Sequence, residues 1–189
     1  TEAVLMANVE LPVELNMVSQ HGAAGIGLLR TEYLFMSRDD IPDEEEQYND
    51  LREMIEGVDG RPVTIRTLDV GGEKTVAALM GTVGDSARSA LGMRGIRLSL
   101  VREDVLEEQF RAILRAGAHG KVRILLPMVT AVSEVVRARQ VLARAVRQLE
   151  ERGIPISDPL PPVGVMIEVP GAALSADSLA RVSDFFAIG

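Results

Sequence analysis

Short aliphatic runs alternate with amphipathic stretches along the chain, and the alternation predicts a regular order of elements. Residues 4–8 read as a strand, a helix follows around residues 12–20, and residues 25–29 form the next apolar run. A polar turn then leads to a helix over residues 43–55, whose acidic start suits the helix dipole and whose stop lies near Gly57. Residues 63–65 are β-branched and short, the mark of another strand. Val105, Leu106, Gln109, Phe110, Ile113 and Leu114 recur at helical spacing, so residues 102–116 are predicted as a helix and residues 122–126 as the next strand. Thr130 can cap a helix whose buried face carries Val132, Val135, Val136, Val141, Leu142, Val146 and Leu149, with Gly153 ending it. Residues 163–167 read as a strand, 172–179 as a short helix and 185–188 as a last strand. Residues 70–93 are Gly-rich without a clear period, and long irregular loops of this kind often serve as lids.

Six strands interleaved with helices imply a parallel sheet, either open and doubly wound or closed as a barrel. The composition suits parallel strands covered on both faces: hydrophobic residues make up 47%, aromatics only 3%, and there is no Trp. At 189 residues the whole chain is expected to form one domain. An eight-strand barrel takes ~250 residues, so a TIM-type (β/α)8 barrel here would be truncated to about six βα units. Six strands could also make an open sheet, and the position of the chemistry has to decide.

The formal net charge of −8 argues against a general nucleic-acid or membrane-surface binder. With no cysteine, disulfides, thiolate metal sites and cysteine nucleophiles are excluded from this stretch. No apolar run is long enough to cross a bilayer, and Thr1-Glu2-Ala3 opens no signal peptide, so a cytoplasmic protein is expected.

Three predicted strands end in a charged residue as the apolar run stops: Arg30 in Leu29-Arg30-Thr31-Glu32, Arg66 in Ile65-Arg66-Thr67-Leu68-Asp69, and Glu168 in Ile167-Glu168-Val169-Pro170. In a barrel the C-terminal strand ends converge on one mouth, where barrel active sites lie. Two guanidiniums there suit an anion with several oxygens. A carboxylate beside them calls for a cation, and Mg²⁺ bridging carboxylate and substrate oxygens is the usual solution. Against this, any one strand-end Arg is more often a solvated or salt-bridged surface group. Glu168 alone could simply favour a helix start before Pro170.

Other features weigh less. Gly71-Gly72 with Lys74 is a weak phosphate-loop signal. Arg94 and Arg97 enter the helical region after the Gly-rich stretch, and one of them can point to the mouth. His21 and His119 sit near predicted helix C-termini, each followed by Gly, and Asp43-Glu44-Glu45-Glu46 reads as a helix start, not a metal cluster.

With these residues in hand, the chain resembles the enzyme I family of bacterial phosphotransferase systems. The likeness runs through residues 22–36 around Arg30, then Ile65-Arg66-Thr67-Leu68-Asp69-Val70-Gly71-Gly72, Leu91-Gly92-Met93-Arg94-Gly95-Ile96-Arg97, Leu126-Pro127-Met128 and residues 164–170 around Glu168. The resemblance implies a β/α barrel that binds phosphoenolpyruvate and Mg²⁺. In that family the phosphoryl group passes to a histidine on a separate domain and then to a histidine phosphocarrier protein, releasing pyruvate. Arg30 and Arg66 would hold substrate phosphate and carboxylate, Arg94 would support the phosphate side less directly, and Glu168 would be one of two metal carboxylates. A homodimeric parent protein is implied as well.

The same likeness puts the second metal carboxylate, a later arginine and a proton-donating cysteine beyond residue 189, and the phosphohistidine domain before residue 1. No catalytic residue is therefore expected within this chain, which reads as a fragment without turnover of its own. The Ser86-Ala87-Arg88-Ser89-Ala90 approach departs from the family's usual Asn-Pro. A pyruvate phosphate dikinase or phosphoenolpyruvate synthase barrel is the nearest alternative. A Mg²⁺-dependent carbon–carbon lyase and a non-catalytic dimerisation or regulatory module are further ones.

Overall fold

The computed structural model describes residues 3–36, 38, 40–70, 79 and 92–189. Its framework is one parallel sheet of six strands: β1 (Ala7–Val9), β2 (Ile26–Arg30), β3 (Val63–Arg66), β4 (Val122–Leu126), β5 (Val163–Ile167) and β6 (Phe186–Ile188). The strands pair in chain order, β1-β2-β3-β4-β5-β6, and every pair is parallel. A doubly wound sheet reverses its strand order at a switch point; this one does not. A flat sheet of this size would hold β1 and β6 about 24 Å apart, at ~4.8 Å per strand. Instead Ala7 and Asn8 of β1 line one cavity together with Ala187 and Ile188 of β6, so the sheet is curled as a partial barrel.

Helices cover the outside. They are α1 (Leu15–Gln20), α2 (Glu44–Glu56), α3 (Ile96–Val101), α4 (Glu103–Ala116), α5 (Val132–Glu151), α6 (Pro170–Leu174) and α7 (Ala176–Leu179). Among the described residues, the core joins Ile26, Ile65, Ile124 and Val165 of the strands to Leu51, Phe110, Ile113 and Leu142 of the helices. Gly164 admits the Phe185 ring, which lies 2.5 Å from where a Cβ would stand, and Arg123 covers that ring at 5.4 Å.

Several predicted elements differ in detail. The first strand begins at Ala7, because Val4 and Leu5 are exposed. α5 starts from Ala131, not from a Thr130 cap: Glu134 Oε2 accepts Thr130 N–H at 2.6 Å and Ala131 N–H at 2.9 Å. Val136 is exposed, and Ala138 and Ala145 join the buried face instead, on the three- and four-residue spacing of Val135, Leu142 and Leu149. Gly153, at φ 65°, ends the helix, and Ile154 N–H reaches back to Leu149 O at 3.0 Å. The helix expected over 172–179 is two short ones broken at Ser175. The helix α3 was not separated from its surroundings by the pattern. The Gly71-Gly72-Lys74 signal, residues 86–90 and nearly all of the lid expected over 70–93 lie outside the described residues.

Candidate functional site

The C-terminal ends of β2, β3 and β5 present the charged residues that the apolar runs pointed to. Arg30 closes β2 and Arg66 closes β3, and the two are register partners across the β2–β3 pair. Glu168 follows β5 directly. Arg30, Arg66 and Glu168 line one cavity of about 580 Å³, with Asn8, Gly27, Leu125, Met166 and Gly189 among its other walls. Arg94, just before α3, is not among these lining residues but is tied to them through Asp69.

Two carboxylates that the sequence reading did not single out organise the arginines. Glu32 lies in the 3-10 turn after β2, Asp69 in the segment after β3, and both are buried. Glu32 Oε1 accepts from Arg66 Nη2 at 3.0 Å and from Asp69 N–H at 2.9 Å. Asp69 accepts from Arg94 twice, Nε to Oδ1 at 3.1 Å and Nη2 to Oδ2 at 3.0 Å, while Arg66 Nη1 lies 3.5 Å from Oδ2. The result is an alternating row, Glu32–Arg66–Asp69–Arg94. Buried Gln109 of α4 braces it, its Nε2 donating to Thr31 Oγ1 at 3.3 Å and its Oε1 accepting from Leu68 N–H at 2.9 Å. Thr31 Oγ1 in turn donates to Arg66 O at 2.8 Å.

The electrostatics follow from burial. Glu32 has its carboxyl pushed up by burial, against the pull of the neighbouring Arg66 guanidinium, and its Oε2 is buried without a hydrogen-bond partner among the described residues. Arg94 is held more firmly charged by its hydrogen bonds to Asp69. Arg30 Nε and Arg66 Nε are also buried without partners. Both arginines line the cavity, where an anion would meet their positive charge.

Glu168 is exposed, and its Oε1 accepts from Met128 N–H at 2.8 Å. Met128 holds that amide with φ 58°, an uncommon conformation for a residue other than glycine. Among the described residues no three acidic or histidine side chains converge as a metal cage. One carboxylate is nevertheless a usual protein contribution to Mg²⁺ when substrate oxygens and water complete the shell. Glu168 fits that role, with Oε2 turned toward Gly189 at the cavity wall. The histidines lie elsewhere: His21 Nδ1 contacts Met17 O, and His119 sits between Tyr48 and Glu56.

A family model described as the PEP-binding domain of PEP-utilising enzymes matches residues 1–189. A phosphoenolpyruvate-protein phosphotransferase of Staphylococcus aureus (strain MSSA476) is 42% identical over 187 residues, 99% of this chain and 32% of that protein. One from Priestia megaterium is 39% identical over 185 residues, covering 98% and 32%. A multiphosphoryl transfer protein of Xanthomonas campestris pv. campestris is 45% identical over 184 residues, covering 97% of this chain and 21% of that protein. The chain thus spans about a third or less of these relatives' length.

Proposed function

Since the chain belongs to the PEP-binding domain family of PEP-utilising enzymes, we propose that its cavity is the phosphoenolpyruvate- and Mg²⁺-binding part of a phosphotransferase. In this reading the parent enzyme moves the phosphoryl group of phosphoenolpyruvate to one of its own histidines and then to a histidine phosphocarrier protein, releasing pyruvate. The observation that carries the proposal is the meeting of Arg30, Arg66 and Glu168 at one cavity on the C-terminal ends of a curled parallel sheet.

The two strand-end guanidiniums bind and orient the phosphate and carboxylate of the substrate. Arg94 adds positive charge from behind Asp69. Glu168, together with substrate oxygens, would hold Mg²⁺, whose positive charge would offset the negative charge of the phosphoryl group. Phosphoryl transfer is mostly positioning and charge neutralisation, and these residues offer both. Neither His21 nor His119 is among the lining residues, which supports an acceptor histidine elsewhere in the parent enzyme. We place the reaction in the cytoplasm, and the parent enzyme as a homodimer, on the family likeness.

Calorimetric titration of the chain with phosphoenolpyruvate tests the reading. Binding is expected to strengthen with Mg²⁺, and Glu168→Gln to remove that dependence. Arg30→Met is expected to weaken binding about tenfold or more, the scale of a lost charge-assisted hydrogen bond. Equal binding by the Arg30 variant would sink the assignment. The chain alone is expected to release no pyruvate.

A further inference from the structure

Among the described residues, Glu32 and Asp69 are the buried side chains that carry charge, and both stand beside guanidiniums at the mouth. Two carboxylates next to an anion site work against raw affinity, since each repels the incoming charge. Burial makes them costlier still unless they are paired. What they provide is geometry. Asp69 grips Arg94 along its Nε–Nη2 edge with two parallel hydrogen bonds, which fixes the plane of the guanidinium. Arg66 is held from both sides, by Glu32 at Nη2 and by Asp69 at Nη1. Asp69 is also held in place, through its N–H on Glu32. Arg66, the register partner of Arg30 at the cavity, is therefore held in one place, with Arg94 locked beside it outside the cavity lining.

We propose that Glu32 and Asp69 are positioning residues that make the site selective for a ligand with two anionic groups at a set separation, over a simple anion. The inference rests on the reading of this cavity as a phosphoenolpyruvate site. A single anion needs one guanidinium and gains nothing from the spacing of two. A ligand carrying a phosphate and a carboxylate gains from Arg30 and Arg66 together only when Arg66 is held at the matching distance from Arg30.

Titrations of the full chain, Asp69→Asn and Glu32→Gln with phosphoenolpyruvate and with inorganic phosphate provide the test. Each variant is expected to bind phosphoenolpyruvate about tenfold more weakly. Phosphate is expected to bind equally or more tightly, because a repelling charge is gone. An unchanged ratio of the two affinities overturns the proposal. So does a parallel loss of both with a lowered Tm, which marks a merely structural role.

A second measurement keeps the two readings apart. In ¹⁵N–¹H spectra of the ligand-free chain, the Nη groups of Arg66 and Arg94 are expected to show slow rotation that the variants release. Freely averaging Nη signals in the unmutated chain overturn the positioning role. Failure of the unmutated chain to bind phosphoenolpyruvate, with those signals still held, overturns the ligand assignment alone.

Discussion

In Asp43-Glu44-Glu45-Glu46, four adjacent acidic residues do different work. Asp43 caps α2 by accepting Glu46 N–H at 2.8 Å, and Glu46 returns the contact to Asp43 N–H at 3.1 Å. Glu44 instead ties α2 to the next two long helices, accepting from Arg111, Arg115 and Arg152 at 2.6, 2.7 and 2.9 Å. Burial pushes its carboxyl up, but hydrogen bonds from Arg152, Arg111 and Arg115 outweigh that and hold it down at about 2, below the ordinary 4.5. The folded value is depressed, so this stabilisation is present above pH 4.5 and is lost as pH falls through about 2. Glu44→Gln is expected to cost about 1–2 kcal/mol at pH 7, as measured by urea unfolding. The gap between variant and unmutated chain should close across that acid range. Arg30, Arg66 and Glu168 could be read from the sequence because each terminates an apolar run. Glu32 and Asp69 stand in the same motifs, yet a carboxylate shortly after an arginine reads as a solvated turn. Glu32 pairs with the arginine of the neighbouring strand, 34 residues away, and that contact exists only once β2 and β3 lie side by side.

At the scale of elements, α5 shows which signals carry and which compete. Its length and its Gly153 stop follow from periodicity and from the left-handed preference of glycine. Its start does not follow from the Thr130 cap, because the Thr130 hydroxyl is engaged by Arg97 Nη2 at 2.7 Å, a tertiary contact. Glu134 takes over and satisfies two amides at the N-terminus. Glu134→Ala should therefore destabilise the chain by about 1 kcal/mol, the usual scale of a lost cap. Glu134→Gln, which keeps an acceptor oxygen, should lose less. Hydrogen exchange is the decisive readout: faster exchange at Thr130 and Ala131 in the alanine variant identifies the cap, and unchanged exchange refutes it. The late start of β1 has a similar cause. Val4 and Leu5 are apolar enough to read as strand, but the ladder with β2 begins at Ala7 opposite Ile26.

For the whole molecule, βα alternation alone left an open sheet and a barrel equally acceptable, because both bury the same apolar runs. The strand order distinguishes them, and strand order is a property of pairing, not of any one segment. The curl leaves β1 and β6 as the two edges of the sheet. Exposed apolar side chains gather near the first edge: Leu5 is 77% exposed before β1, and Val13 is 75% exposed in the turn after it. On β6, Ile188 is 87% exposed. Open parallel edges flanked by apolar surface favour pairing with another chain. Sedimentation velocity over rising concentration should therefore show self-association of this chain. Leu5→Lys combined with Val13→Lys should reduce it, since a charged edge resists pairing. Because both side chains already face outward, the unfolding free energy should change by no more than ~0.5 kcal/mol per substitution. Association that survives both lysines would move the contact away from the β1 edge. A monomer at every concentration would show that the edges of this chain are shielded by their own curl.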